Sequence, residues 1–236
     1  MLRSLIFCLF WVPIILSAQF VDSSRSDYQA YYYENGQLSS EGYIEDGKPN
    51  GYWITYYENQ LRKSEGNRLN FLLDGPWKFY DKKGNLSQLI TYKQGKKDSV
   101  SKSFEDCHLA ELSFFKKGVQ IGIQTLYYPD SSDALIKAEI PYQEGVKEGI
   151  ARFYAKDGRL IELVTYKKGF VASREKINQI DENGKKQGLW KEYYPNGRLK
   201  TEKRFKNDEL NGYIKEYSPQ GKLEGAELFL EGKQRS

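Results

Sequence analysis

The sequence predicts an all-β fold: an elongated antiparallel meander of tandem β-hairpins in one open, twisted sheet. Three observations predict it. One short pattern recurs along the chain, the segments between its turns alternate strand-forming residues, and no stretch after the first residues carries the period of a long amphipathic helix.

Composition sets the frame. The 236 residues are 29% charged and 15% aromatic, with 19 tyrosines. Disordered chains are poor in aromatics, so these numbers point to a thin structure packed by aromatic rings. The 36 basic residues nearly balance the 32 acidic ones, for a formal charge of +4. No basic run stands out, so nucleic acid is not an expected partner and membrane contact is at most peripheral.

The first element is an apolar run, "LIFCLFWVPIIL" (Leu5 to Leu16), behind a short positive start at Met1-Leu2-Arg3. It falls short of the roughly 20 residues a bilayer span requires and is followed by small residues, Ser17 and Ala18. Residues 1–18 therefore read as a signal peptide cleaved near Ala18, which makes the mature protein periplasmic or secreted. Residues 19–30 form a lead-in, and residues 31–236 the repeat domain. Cleavage leaves Cys107 as the remaining cysteine, so packing and sheet hydrogen bonds have to supply the stability.

The repeats come next. "YYENGQL" ending at Leu38 returns as "YYENQL" (Leu61), "FYDKKGNL" (Leu86), "FYAKDGRL" (Leu160), "YYPNGRL" (Leu199) and "EYSPQGKL" (Leu223), with weaker copies ending at Leu109 and Leu135. The leucines are 23, 25, 23, 26, 25, 39 and 24 residues apart, and the 39-residue step holds an extra half-unit, "INQIDENGKKQGLW". Each copy carries two turn signals. One is Asn-Gly or a similar pair (Asn35-Gly36, Asp157-Gly158, Asn196-Gly197), expected to adopt the positive φ of a tight hairpin turn. The other is a glycine pair around charged residues, as in "GKPNG" (Gly47 to Gly51) and "GVKEG" (Gly145 to Gly149). Between them, segments such as "LKTEKRF" alternate with a period of two. A lone hairpin is marginal, so each copy needs its neighbours.

The pattern Gly-x-Trp-x-x-Tyr appears at Gly51/Trp53/Tyr56, Gly75/Trp77/Tyr80 and Gly188/Trp190/Tyr193. A spacing of three puts Trp and Tyr on opposite faces of a regular strand; either both faces carry aromatics or a bulge realigns them.

With these stretches in view, "YYPNGRL" and "GKKQGLWKEYY" above all, the chain resembles the MORN repeat family, in its bacterial YwqK-like antitoxin-type variant. The likeness is strongest at 32–95 and 180–232 and weakest at 96–140. It implies tandem hairpins in an elongated sheet, used for protein contact or membrane-proximal scaffolding. The glycine-rich Tyr-x-Gly core of the eukaryotic form is missing, with "YQEGVKEG" coming nearest.

Groups that could do chemistry are scarce. The single histidine, His108, adjoins Cys107, and adjacent strand residues point to opposite faces, which makes a poor nucleophile–base pair. "DENG" (181–184) and "PDSSD" (129–133) lack the alternation of a calcium loop and read as turns. Acids such as Glu41, Glu65 and Glu202 recur at one repeat position, as a solvated face or as cross-strand partners of Lys and Arg. No catalysis, metal or cofactor is expected. The six aromatics Trp53, Tyr56, Trp77, Tyr80, Trp190 and Tyr193 are the candidate binding face, unless they pack between successive hairpins. The expected partner is another protein, with envelope glycan as the alternative and immunity against an exported toxin as a third possibility.

Overall fold

A computed structural model describes residues 27–130 and 134–235. The apolar run, the cleavage site near Ala18 and part of "PDSSD" lie outside these residues. The described residues are strands and turns, with no helix among them, and so none long and apolar enough to cross a membrane. The chain divides into two compact units, the first ending at Val119 and the second beginning at Gln120.

The first unit contains β1 (Tyr28–Tyr32), β2 (Leu38–Glu45), β3 (Lys48–Tyr56), β4 (Arg62–Leu69), β5 (Leu72–Tyr80), β6 (Leu86–Lys93), β7 (Lys96–Glu105) and β8 (His108–Lys116). They pair in chain order, each antiparallel to the next. The second unit contains β9 (Val119–Tyr127) from its second residue onward, β10 (Ile136–Gln143), β11 (Val146–Lys147), β12 (Gly149–Tyr154), β13 (Leu160–Lys167) and β14 (Phe170–Lys176). It continues through β15 (Gln179–Ile180), β16 (Lys186–Tyr193), β17 (Leu199–Lys206), β18 (Glu209–Leu210), β19 (Gly212–Tyr217), β20 (Leu223–Leu230) and β21 (Lys233–Arg235). This is the antiparallel meander of hairpins that the repeats predict.

The two turns of each repeat exchange the roles expected of them. At Tyr33–Gln37, Gly36 N–H donates to Tyr33 C=O and Tyr33 N–H to Gln37 C=O, and of Asn35 and Gly36 only the glycine has positive φ (81°). That is a turn closed by one left-handed residue and a bulge. The two-residue turns with both residues left-handed lie at the opposite edge: Asp46 and Gly47 (φ 50° and 74°), Gln94 and Gly95 (51° and 75°), Glu144 and Gly145 (51° and 83°). A polar residue holds the first position, and glycine, which adopts positive φ without steric cost, the second. The second glycine of the pair is no turn residue: Gly51 (φ 89°) sits inside β3, where Asn50, Gly51 and Tyr52 stand opposite Tyr43 alone.

Successive hairpins are stitched at both edges. At the first, the second tyrosine of a repeat donates its hydroxyl to a carbonyl of the following one: Tyr33 to Tyr56 (2.6 Å), Tyr57 to Tyr80 (2.7 Å), Tyr128 to Tyr154 (2.8 Å) and Tyr194 to Tyr217 (2.8 Å). At the other edge, turn N–H groups reach back to strand carbonyls, Gly95 to Leu73 (2.8 Å) and Gly169 to Lys147 (3.0 Å). Each such bond contributes about 1 kcal/mol net, and together they explain why a single copy is not the folding unit.

Within the second unit the backbone ladder is interrupted once, in the extra half-unit. Asn178 (φ 51°, 7% exposed) fills the gap with its side chain. Its amide donates to Leu160 C=O (2.9 Å) on β13 and to Lys191 C=O (3.1 Å) on β16, and its Oδ1 accepts from Lys191 N–H (2.7 Å). One carboxamide thus replaces a peptide unit of the missing strand.

Candidate interaction surface

Cross-strand register decides where the six aromatics go. Trp53 stands opposite Gly42 on β2 and Gly66 on β4, and Trp77 opposite Gly66 and Ile90. A Cβ on Gly42 would fall 2.3 Å from the Trp53 ring, and one on Gly66 2.5 Å from the Trp77 ring. The glycines are therefore seats for the indoles, which are 5% and 2% exposed. Trp77 also donates Nε1–H to Asn67 C=O (2.7 Å) and lies 5.3 Å from the Arg68 guanidinium. In the second unit the same position inverts its volumes: Ile140 replaces the glycine and Ala151 the tryptophan, and both are buried. Trp190 faces Lys203 rather than a glycine and stays half-buried. With Phe205 (5.8 Å), Lys186 and Thr201 it lines a shallow depression.

The tyrosines take the other face, so the first of the two alternatives for Gly-x-Trp-x-x-Tyr holds. The bulge at Thr55/Tyr56 places the extra residue, Lys63, on the neighbouring strand and leaves the alternation of β3 intact. Tyr56 donates its hydroxyl to Glu41 (2.5 Å), Tyr80 to Glu65 (2.6 Å) and Tyr154 to Glu139 (2.7 Å), each across 15 residues of chain. Tyr193 is half-buried near Lys191, whose Nζ bonds both oxygens of Glu175 (2.8 and 2.9 Å). The sequence predicts the recurring acid as a solvated face or a cross-strand partner of Lys and Arg. Glu65 pairs with Arg62 (2.8 Å) and Lys78 (3.6 Å), but its shortest bond is to a tyrosine. The constant Glu-to-Tyr step of 15 residues (41/56, 65/80, 139/154, 202/217) is the sequence signal that could have found it.

Electrostatics argue that this network holds structure. Burial pushes the Tyr80 phenol up, and the Glu65 hydrogen bond and charge add to it. Tyr154 is pushed up to about 12 by burial and then by Glu139. Burial also works to raise Glu65, but the Tyr80 hydroxyl, Arg62, Tyr52 and Lys78 outweigh it and hold the carboxyl below its usual range. The proton is fixed on the phenol and the charge on the carboxylate, the reverse of groups poised for transfer near neutral pH.

The remaining candidates resolve as turns. Cys107 occupies the turn between β7 and β8 (φ 67°), and His108 opens β8 opposite Glu105. Asp181 of "DENG" accepts N–H bonds from Asn183 (2.9 Å) and Lys185 (3.0 Å), closing its own loop. Among the described residues no group of three or more His, Cys, Asp or Glu is placed to hold a metal.

Comparison with known proteins agrees with the repeat pattern. Four segments, 29–48, 73–94, 147–168 and 186–207, match the MORN repeat variant family. Each holds a hairpin of the kind joining β1 to β2, with the same register shift before its Tyr. Over these four segments the chain is similar to MORN-type repeats. No curated protein matches it. Among solved structures, the crystal structure of TcdB2-TccC3-Cdc42 is similar over 87% of this chain, with 11% identity and a TM-score of 0.23. The chain spans 12% of that chain's length.

Proposed function

We propose that this is a non-catalytic, exported repeat protein that acts as a scaffold for another protein. The observation that carries it is the use made of the repeat's polar groups. The Tyr hydroxyls, the recurring Glu carboxylates and the Asx side chains bond within and between hairpins, repeat after repeat, which leaves sheet faces and hairpin edges as what the molecule offers a partner. Chemical crosslinking of the protein in its native envelope, read by mass spectrometry, tests this. One dominant protein partner supports the scaffold, and glycan fragments with no protein above background refute it. Export has its own test: the N-terminus of the mature chain should begin just after Ala18.

The glycan alternative needs an exposed aromatic ladder. Trp53 and Trp77 are buried, which leaves Trp190 as the Trp of the three that is open to a sugar ring. The antitoxin-type subtype, and with it immunity against an exported toxin, predicts that the crosslinked partner is itself toxic when expressed alone.

A further inference from the structure

One edge of the first unit carries a cluster of lysines. The two-residue turn between β6 and β7 and the turn that follows β8 are 23 residues apart in sequence, yet Gly118 N–H bonds Lys97 C=O (2.7 Å), so the two lie side by side. Lys93, Gln94, Lys96, Asp98, Lys116 and Lys117 line a groove there. Four lysines against one aspartate give the lining a charge of +3. Among the described residues none of the four lysines enters an ion pair, whereas Lys78, Lys156, Lys191, Lys203 and Lys215 all do.

The closing pair of the hairpin is more telling. Lys93 stands directly opposite Lys96. Like charges in that position repel, and the corresponding pairs avoid them: Glu45 faces Lys48, Leu69 faces Leu72, Lys167 faces Phe170 and Lys206 faces Glu209. Stability is given up here, as it is where a surface serves binding.

The ligand chemistry follows from what the groove lacks. Its turn N–H groups are all occupied: Gln94 by Asp74, Gly95 by Leu73 C=O, Lys117 by Asp98 and Gly118 by Lys97 C=O. No backbone nest remains for a phosphate, and there is no arginine fork to bind one in two-point fashion. Lysines on flexible stems supply a diffuse field without direction, which suits an extended chain of carboxylates. We infer that this edge docks an acidic polypeptide segment of the partner; the inference rests on the scaffold role and supplies the chemistry of its contact.

Fluorescence anisotropy with a labelled peptide of about ten glutamates tests the site. Changing Lys93, Lys96, Lys116 and Lys117 together to Gln should weaken binding about tenfold or more and flatten its salt dependence. Changing Lys48, Lys63, Lys82 and Lys83 to Gln, the same loss of charge from exposed positions elsewhere on the unit, should change it less than twofold. Equal weakening in the two variants overturns the site. Displacement of the peptide by an oligonucleotide or an anionic vesicle at lower total charge overturns the acidic-polypeptide assignment. The first variant should melt no lower than the parent, because the Lys93–Lys96 repulsion is gone, so lost binding cannot be blamed on unfolding. In the crosslinking experiment, a protein partner retained by the first variant defeats the docking inference and spares the scaffold. Absence of any protein partner defeats the scaffold, and with it the docking inference.

Discussion

Replacing Gly66 tests whether the tryptophans are held by their glycine seats. A Cβ at Gly66 would lie 2.5–2.6 Å from three atoms of the Trp77 indole, far inside contact distance. The ring cannot retreat freely: its N–H is bonded to Asn67, Arg68 stacks on it and Phe79 stands 6.1 Å away. Gly66→Ala should therefore destabilise by about 1–3 kcal/mol, the usual range for an overpacked core. Trp77→Ala alone should cost about 3–5 kcal/mol as a cavity. The second unit shows the compensated arrangement, with Ile140 at the glycine position and Ala151 at the tryptophan position, 5% and 0% exposed. Gly66→Ile combined with Trp77→Ala copies it. The double variant should be more stable than the sum of its single changes implies, by about 2 kcal/mol. Urea unfolding followed by far-UV circular dichroism, applied to the parent, Gly66→Ala, Gly66→Ile, Trp77→Ala and the double variant, closes the cycle on the Gly66→Ile and Trp77→Ala singles without relying on the lost fluorophore. Additivity within about 0.5 kcal/mol would show that the two positions do not share a volume, and the packing argument would fail.

Three further outcomes are expected. Asn178→Ala removes the side chain bonding Leu160 C=O and both backbone groups of Lys191, and should cost about 2–4 kcal/mol. Hydrogen exchange should then rise first at Lys191, and unchanged protection there would refute the bridging role. Phe71 holds φ at 76° where most of the equivalent turns carry glycine, so Phe71→Gly should raise stability by up to about 1 kcal/mol despite losing its 5.7 Å contact with Arg68. A lower melting temperature would mean that the ring contributes more than the strain costs. The carboxyl of Glu65 is held below its usual range, so its stabilisation is complete above the unfolded value of about 4.3 and disappears as pH falls through the lower folded value. Glu65→Gln should thus be less stable at neutral pH yet lose less between about pH 5 and 3. Parallel acid limbs of the two stability curves would contradict this.

Much of the fold was legible because it is local. Leucines recurring every two dozen residues, two turn signals per copy and a period of two fix hairpins and their antiparallel order, and each of these is a property of neighbouring residues. The Tyr–Glu bonds were legible in principle, since their 15-residue step repeats. The turns were harder. "NG" and "GKPNG" both contain the residues a left-handed backbone wants, and composition does not say whether Gly51 closes a hairpin or opens a bulge within β3.

The sequence by itself determined the repeat, the strands and the scarcity of convergent chemistry. Tertiary structure decided which groups meet. Trp53 and Trp77 could line a binding face or pack between hairpins until the register sets Gly42 and Gly66 opposite them, and Trp190 differs because Lys203 stands there instead. Lys93 and Lys117 form no run in the sequence, yet the stacking of hairpins puts their turns together. Asn178 looks like one more polar residue until the ladder lacks a strand beside it. The physical reason is common to all three. Period and turn chemistry act between residues a few bonds apart, whereas burial, charge density and hydrogen-bond satisfaction depend on what a strand two dozen residues away presents across the sheet.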